Sequence, residues 1–332
     1  MKELKSFLAD DIRVFLKKKH EDVRTKNGYE TICYHMQSFD AFLYVSQTTV
    51  ICEEFVLSWI QSLSDLADGT INNYISTVRE FLLFENQWRS SRHFVPVNRK
   101  VSDNYVPHYY NEEEKNLFYP MIDNYDPGVA IKLPWIKAEF PMVIRICDGC
   151  GTRITETLQL KMKDVDLKAG VLKMVNSKNN KQRYVPMTQD LTEILRKYCF
   201  AMKITDDLEA YLFPGRTRDT CLKDREIRGK FLGFLIIANI RKPGSTNHTR
   251  GPCVHDFRHT FAINALRKLL SLGIDVSDVH SILSVYLGHE GLRETEKYLK
   301  FCTELFPEEI DKFDQAVDAL ISGEDLWEKY GL

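Results

Sequence analysis

The segment Val254-His255-Asp256-Phe257-Arg258-His259-Thr260-Phe261-Ala262 constrains this chain more tightly than any other stretch. His255 and Arg258 are three positions apart, so on a helix they share one face. Phe257, Phe261, Ala265 and Leu269 recur every four residues and line a different face. A helix with this pattern is anchored by its apolar side and offers an imidazole and a guanidinium on its reactive side. His259 reads as a residue that packs or bonds locally. Leu287-Gly288-His289 and then Tyr298 follow, which brings a second imidazole and a phenol into the same region of the chain.

A second cluster lies upstream. Gly151-Thr152-Arg153-Ile154-Thr155-Glu156-Thr157-Leu158-Gln159-Leu160 places an Arg at the entrance to a helix, with Glu156 one turn further on, and Asp164-Val165-Asp166 follows. Residues 171–175 and 183–187 both alternate apolar positions, and Ser177-Lys178-Asn179-Asn180-Lys181 lies between them, which reads as a β-hairpin with a polar turn. In this order the features resemble the tyrosine recombinases, or phage-integrase family. That family has Gly-x-Arg-x-x-Glu-x-x-x-Leu in a first box and His-x-x-Arg-His-Thr-Phe-Ala, Leu-Gly-His and Tyr in a second. Any one signal is weak, but five in the family's order between Arg153 and Tyr298 are specific. The resemblance is strong over residues 105–300 and weak before them.

The resemblance implies a mainly α fold with a small antiparallel β-sheet (α+β), in which an N-terminal helical bundle and a catalytic domain form a C-shaped DNA clamp. It implies a site-specific DNA recombinase that cleaves and rejoins DNA through a 3′-phosphotyrosyl intermediate. Tyr298 would then be the nucleophile, and Arg153 and Arg258 would grip the non-bridging phosphate oxygens in forked geometry, which Lys does not reproduce. The hairpin lysine, Lys178 with Lys181 as the alternative, would protonate the departing 5′-oxygen. His255 would act as acid and base, His289 would donate to a phosphate oxygen, and Glu156 would orient an active-site group. No metal, ATP or other cofactor is expected, because the covalent link itself stores the bond energy for religation. The expected partners are double-stranded DNA recombination sites, with a homotetramer on paired sites, a monomer as the free protein, and an accessory DNA-bending protein or co-recombinases.

Ser284-Val285-Tyr286-Leu287-Gly288-His289 resembles a transposon-associated branch, and Leu272-Gly273-Ile274-Asp275-Val276-Ser277 reads as an additional loop between Arg258 and His289. Integration, excision or transposition of a mobile element is therefore the leading reading, and a Xer-like chromosome or plasmid dimer resolvase is the alternative. A type IB topoisomerase shares the chemistry but not the spacing of the two boxes. A catalytically silent DNA-binding protein is disfavoured because all the expected catalytic side chains are present.

The chain has 332 residues with 44% apolar content, too long for one ordinary α-rich core, so two domains are expected. We divide it into a helical core-DNA-binding domain at 1–92, a linker at 93–110, a catalytic domain at 111–300 and an acidic helical tail at 301–332. In the first domain Phe7, Ile12, Phe15 and Leu16 fall at helical spacing. So do Phe39, Phe42, Leu43 and Val45, and then Phe55, Leu57, Trp59, Ile60 and Leu63. Asp68-Gly69-Thr70 breaks the pattern, and Thr70 is expected to cap a fourth helix through Ile71, Tyr74, Ile75, Val78, Phe81 and Leu82. Asn111-Glu112-Glu113-Glu114 puts acids where the dipole of a first helical turn favours them.

The formal net charge of -2 is unusual for a phosphate-binding protein. Residues 301–332 account for the imbalance, with two basic against nine acidic side chains, leaving 43 basic against 38 acidic in residues 1–300. Local charge governs DNA affinity, and the candidate contacts are Lys17, Lys18, Lys19, Arg89, Arg92, Arg99, Lys100 and the basic stretch 216–228. A solvated helix face is the bland reading of each cluster. Cys147-Asp148-Gly149-Cys150 has CxxC spacing, but no second pair lies nearby, so it reads as two packed thiols and not as half a zinc site. The eight scattered cysteines, the lack of an N-terminal apolar stretch and the lack of a long apolar run point to a cytoplasmic, nucleoid-associated protein with no membrane partner.

In the tail, Leu305, Ile310, Phe313, Val317, Leu320 and Ile321 fall on one helical face, which would suit capping of its own domain, whereas the family resemblance implies a C-terminal helix that docks on a neighbouring protomer. Deleting residues 307–332 is therefore expected to abolish strand exchange while single-site cleavage continues. Paired-site and single-site assays on the truncated protein check this, and unchanged strand exchange would refute it.

Overall fold

The computed structural model describes residues 3–22, 26–88, 92–99, 106–126, 128, 133–175, 182–246, 249–288 and 297–298. The chain divides into two compact units, Met1–Asn104 and Tyr105–Leu332. Both are helical, and the second carries a three-stranded antiparallel sheet, so the architecture is mainly α with a small β element. The acidic tail lies outside the described residues, as do Lys178 and Lys181 on the hairpin turn, His289, Arg89 and Lys100.

The first unit contains α1 (Ala9–Asp22), α2 (Lys26–Ser46), α3 (Glu53–Ser62) and α4 (Asp68–Glu85). They bury Ile12, Phe15, Met36, Phe39, Trp59 and Phe81, among others, in one core. The periodicity misassigned a few positions: Phe7 precedes α1, and Val45 and Leu57 face solvent at 80% and 57% exposure. Helix α4 also starts earlier than expected. Ala67 occupies its N-cap position without a side-chain bond and Asp68 opens the first turn, so Thr70 is inside the helix and does not cap it. An acid at the positive end of the helix dipole stabilises this earlier start.

Two asparagines on or just beyond α4 pin the extended stretch that follows. Asn86 donates to the carbonyl of His93 at 2.9 Å and accepts its N–H at 2.7 Å, and Asn72 does the same for Arg99 at 3.0 and 2.9 Å. A carboxamide offers the same donor–acceptor pair as a peptide group, so each substitutes for a neighbouring strand.

In the second unit an extended segment leads to α5 (Glu112–Asp123), which begins with a capping box between Asn111 and Glu114. Helices α6 (Ile136–Cys150) and α7 (Ile154–Leu158) follow, then a 3-10 turn (Met162–Asp164) and strands β1 (Val165–Asp166), β2 (Val171–Val175) and β3 (Gln182–Pro186). The sheet order is β1-β2-β3, with Leu172 opposite Val185 and Met174 opposite Arg183. The remaining helices are α8 (Gln189–Met202), α9 (Asp224–Ile237), α10 (Asp256–Ser271) and α11 (Val276–Leu287). The connection between the last two is shorter than the expected loop. Asp275 accepts the N–H of Ser277 at 2.9 Å and caps α11, so Val276 and Ser277 are helical.

Helix α10 packs on both α6 and α11. Its Phe257 is fully buried with Tyr110, Phe118 and Phe231, with ring centroids 4.6 to 6.0 Å apart. Segment 106–111 runs along the same helix. The Tyr110 N–H donates to Thr260 Oγ1 at 3.0 Å, its hydroxyl donates to the Cys253 carbonyl at 3.1 Å, and the Tyr109 hydroxyl donates to Asn264 at 2.7 Å. Replacing Phe118 with Ala would empty the middle of this aromatic group. The expected cost is about 3–5 kcal/mol, read as a lower urea midpoint for the unit that carries α10.

Candidate active site

Arg153 stands at the N-cap of α7, where the chain leaves α6 through Gly151. Gly151 has φ +60°, and a Cβ there would lie 2.5 Å from the Phe261 ring, so this corner of backbone sits directly on α10. The corner matters because its carbonyl accepts a hydrogen bond from Arg258 Nη1 at 3.0 Å. Arg258 Nη2 donates to the Leu287 carbonyl, at the end of α11, at 2.6 Å. The guanidinium is 2% exposed, and desolvation together with the nearby charge of Arg153 brings its pKa down to about 10, so it stays cationic at neutral pH.

Arg153 Nη1 donates to Glu156 Oε1 at 2.9 Å. The same carboxylate, only 9% exposed, receives both terminal nitrogens of Arg183 on β3, Nη2 to Oε2 at 2.7 Å and Nη1 to Oε1 at 3.3 Å. Burial works to raise the Glu156 pKa, but the hydrogen bonds and charges of Arg183 and Arg153 outweigh it and hold the carboxyl below its usual range. Glu156 is thus a fixed anion between two arginines.

His255 occupies the N-cap position of α10, on the same side as Arg258. His255 is an exposed residue, yet the surrounding protein desolvates its ring, and Arg258, Arg153 and Arg228 oppose its protonation, so its pKa falls to about 4. It is neutral at pH 7 and can accept a proton. His259, which the sequence reading left outside the chemistry, lies between the rings of His255 and Tyr298. Its centroid is 4.9 Å from the first and 5.6 Å from the second. Tyr298 is 3% exposed and packs with Ala262, Ile263 and Leu266 of α10 and Leu283 and Leu287 of α11.

The two boxes therefore converge: Arg153, Glu156, His255, Arg258 and Tyr298 belong to one neighbourhood. Gly288, the αL C-cap of α11, ends the helix one residue before His289. Two participants were not singled out beforehand. Arg228 was offered only within a basic stretch; it pairs with Asp224 at 3.1 Å and its charge reaches His255. Arg183 was read as part of a strand, although its alternation with Val185 puts a charged residue on the core-facing side of β3, and that was the available signal.

The candidate DNA contacts in the first unit differ in their engagements. Lys17 is exposed. Lys18 lies over the Phe84 ring at 5.5 Å, and Lys19 pairs with Glu80 and covers the Phe15 ring at 5.6 Å. Arg92 is exposed, and Arg99 Nη1 is 3.9 Å from Asp68. In the second unit Arg218 stacks on Trp135 at 4.9 Å. Cys147 and Cys150 are each 1% exposed, and burial pushes both thiols up to about 12, so they pack as neutral groups. Among the described residues no His, Cys, Asp and Glu cluster has the geometry of a metal site, and no helix is long and apolar enough to cross a membrane.

The phage integrase family profile matches residues 135–303. The chain is 27% identical over 286 residues to the integrase/recombinase y4rB of Sinorhizobium fredii, which covers 83% of this chain and 88% of that protein. It is 29% identical over 237 residues to the tyrosine recombinase XerC of Chlorobaculum parvum, which covers 68% of this chain and 66% of that protein. Among solved structures, the XerH site-specific recombinase bound to a palindromic difH substrate has the same fold. Its TM-score is 0.64 at 19% identity, over 91% of this chain and 80% of that one. The chain belongs to the phage integrase family and is a site-specific tyrosine recombinase.

The depressed pKa of His255 gives a pH signature. Between the ordinary value of 6.5 and about 4, the unfolded chain binds a proton that the folded chain refuses, so His255 subtracts stability as pH falls through that window. Asp256, whose burial pushes its pKa up to about 6, acts in the opposite sense. The informative quantity is thus the difference between parent and His255→Gln. The variant is expected to lose less stability on acidification from pH 6.5 towards 4, measured as urea midpoints.

Proposed function

We propose that this recombinase breaks and rejoins DNA by attack of the Tyr298 hydroxyl oxygen on the scissile phosphorus. The new bond is a 3′-phosphotyrosine, the bond that breaks is the one from phosphorus to the 5′-oxygen, and strand exchange reverses both with a different 5′-hydroxyl. His255, neutral at pH 7, takes the tyrosine proton, and a lysine of the β2–β3 turn, Lys178 or Lys181, supplies a proton to the leaving oxygen. Arg153 and Arg258 hold the non-bridging oxygens, and His289 donates to one of them. The observation that carries this reading is the convergence of two arginines, a neutral imidazole and the tyrosine from segments far apart in sequence, with Arg258 already fixed by two carbonyls.

The first unit then serves to bind the duplex, with Lys17, Lys18, Lys19, Arg89, Arg92, Arg99 and Lys100 as candidate backbone contacts. Four protomers act on paired sites. The substrate we favour is the end of a mobile element, which the Ser284 to His289 signature and the similarity to an integrase/recombinase support. The similarity to XerC supports a second reading, resolution of chromosome or plasmid dimers.

The test uses purified protein and duplexes from the flanks of its own gene, nicked so that cleavage is trapped. A denaturant-stable protein–DNA adduct is expected from the parent and none from Tyr298→Phe. Specific binding without an adduct would refute the reading.

A further inference from the structure

Arg183 is placed where a strand facing a core ordinarily carries an apolar residue. It is in phase with Val185 on β3 and directly opposite Met174 on β2, both fully buried. Its fork nevertheless ends on Glu156 by two hydrogen bonds, and its own side chain is only 10% exposed. The other side of the same guanidinium abuts Gly288. A Cβ at Gly288 would lie 3.1 Å from Arg183 Nη1 and 3.3 Å from its Cδ, so this arginine packs against bare backbone one residue before His289. One side chain thus connects the strand leaving the hairpin turn, the first turn of α7 and the end of α11.

Glu156 is where this connection acts. Its carboxylate is shared between Arg153, which is 30% exposed, and Arg183, which is three times less so. A phosphate entering the site must compete with Glu156 for the Arg153 fork. If the Arg153 side chain turned away and Arg183 did not hold Glu156, a carboxylate almost removed from water would keep the 3.3 Å bond from the Arg153 main-chain N–H but lose its charged partner, which is strongly unfavourable. The bidentate contact from Arg183 removes that obstacle, because it neutralises and orients the carboxylate whether Arg153 stays or goes.

We propose that Arg183 is a positioning residue for strand cleavage: by holding Glu156 bidentately and bracing Gly288, it lets Arg153 exchange its carboxylate contact for the scissile phosphate. The proposal rests on the reading that Arg153 binds that phosphate. Arg183 works through Glu156 and the backbone before His289. Its contact with the deepest-set anion of the site explains why a cation occupies a position that the strand alternation reserves for an apolar side chain.

The experiment compares single-turnover adduct formation on nicked duplex at saturating DNA for the parent, Arg183→Met, Arg183→Lys, Glu156→Gln and the double variant Arg183→Met with Glu156→Gln. Methionine keeps an unbranched apolar stem against Met174 and Gly288 and removes only the fork. Arg183→Met is expected to lower the rate about tenfold to a hundredfold, the scale of a misplaced catalytic group, with DNA affinity close to that of the parent. Lysine restores the charge but not the fork, so Arg183→Lys is expected to recover part of the rate. The double variant is expected to cleave faster than Arg183→Met alone, because a neutral amide no longer retains Arg153. A purely structural role would make the double variant no better than either single one, and that result, or a parental rate in Arg183→Met, overturns the proposal. If Arg183→Met melts well below the parent, the comparison of Arg183→Lys with and without Glu156→Gln decides by the same rescue criterion. A parent that forms no adduct refutes the cleavage reading itself and this inference with it, whereas a parental adduct lost in Tyr298→Phe leaves that reading standing however Arg183 behaves.

Discussion

The buried guanidinium of Arg258 organises the second unit. One terminal nitrogen holds the carbonyl of Gly151, where α6 gives way to α7, and the other holds the carbonyl of Leu287, where α11 ends. Both carbonyls belong to helix C-termini, whose last C=O groups lack intrahelical partners and carry the negative end of the dipole, so they suit a cation in a place with little water. Tyr286 adds a parallel tie, its hydroxyl donating to the Cys150 carbonyl at 3.2 Å while its ring stacks on Phe261 with centroids 5.2 Å apart. The helix that contributes the cation is thereby locked to the corner that contributes Arg153 and to the helix end that precedes His289. An arginine tied to two carbonyls keeps its charge in one fixed place.

Around this anchor the charges form a graded set. Arg258 is the deepest cation, Arg153 stands nearer to solvent, Arg183 lies behind Glu156, and Arg228 is exposed at the edge. One buried carboxylate balances part of this positive charge, which lets several guanidinium groups coexist near each other in the absence of DNA. Burial first, and then the same field, keeps His255 unprotonated. A chain with a net charge of -2 can do this because only the local field acts on the substrate.

Sequence periodicity read most of the architecture correctly where one physical rule dominated. The strands pair Leu172 with Val185 as the alternation requires, and the Asn111–Glu114 capping box starts α5 where the acidic cluster indicated. The misreadings were local and had definite causes. Thr70 looked like a cap because threonine favours that role, but Asp68 stabilises an earlier start of α4. Val45 and Leu57 matched a helical period yet face solvent, since a period identifies a stripe but not its width. Arg183 escaped notice because a polar residue on a short strand is usually taken as outward-facing, although its alternation with Val185 turns it towards the core.

Residue identity and spacing carried the resemblance to the tyrosine recombinases, and the family match bears that resemblance out. They were silent on who holds whom. That Arg258 is tied to Gly151 and Leu287, that Glu156 is shared by Arg153 and Arg183, and that His259 lies between His255 and Tyr298 are contacts between residues up to 107 positions apart. Local propensity carries no information about such distant pairs. They arise only when packing brings the helix ends together and burial obliges each charge to find a partner.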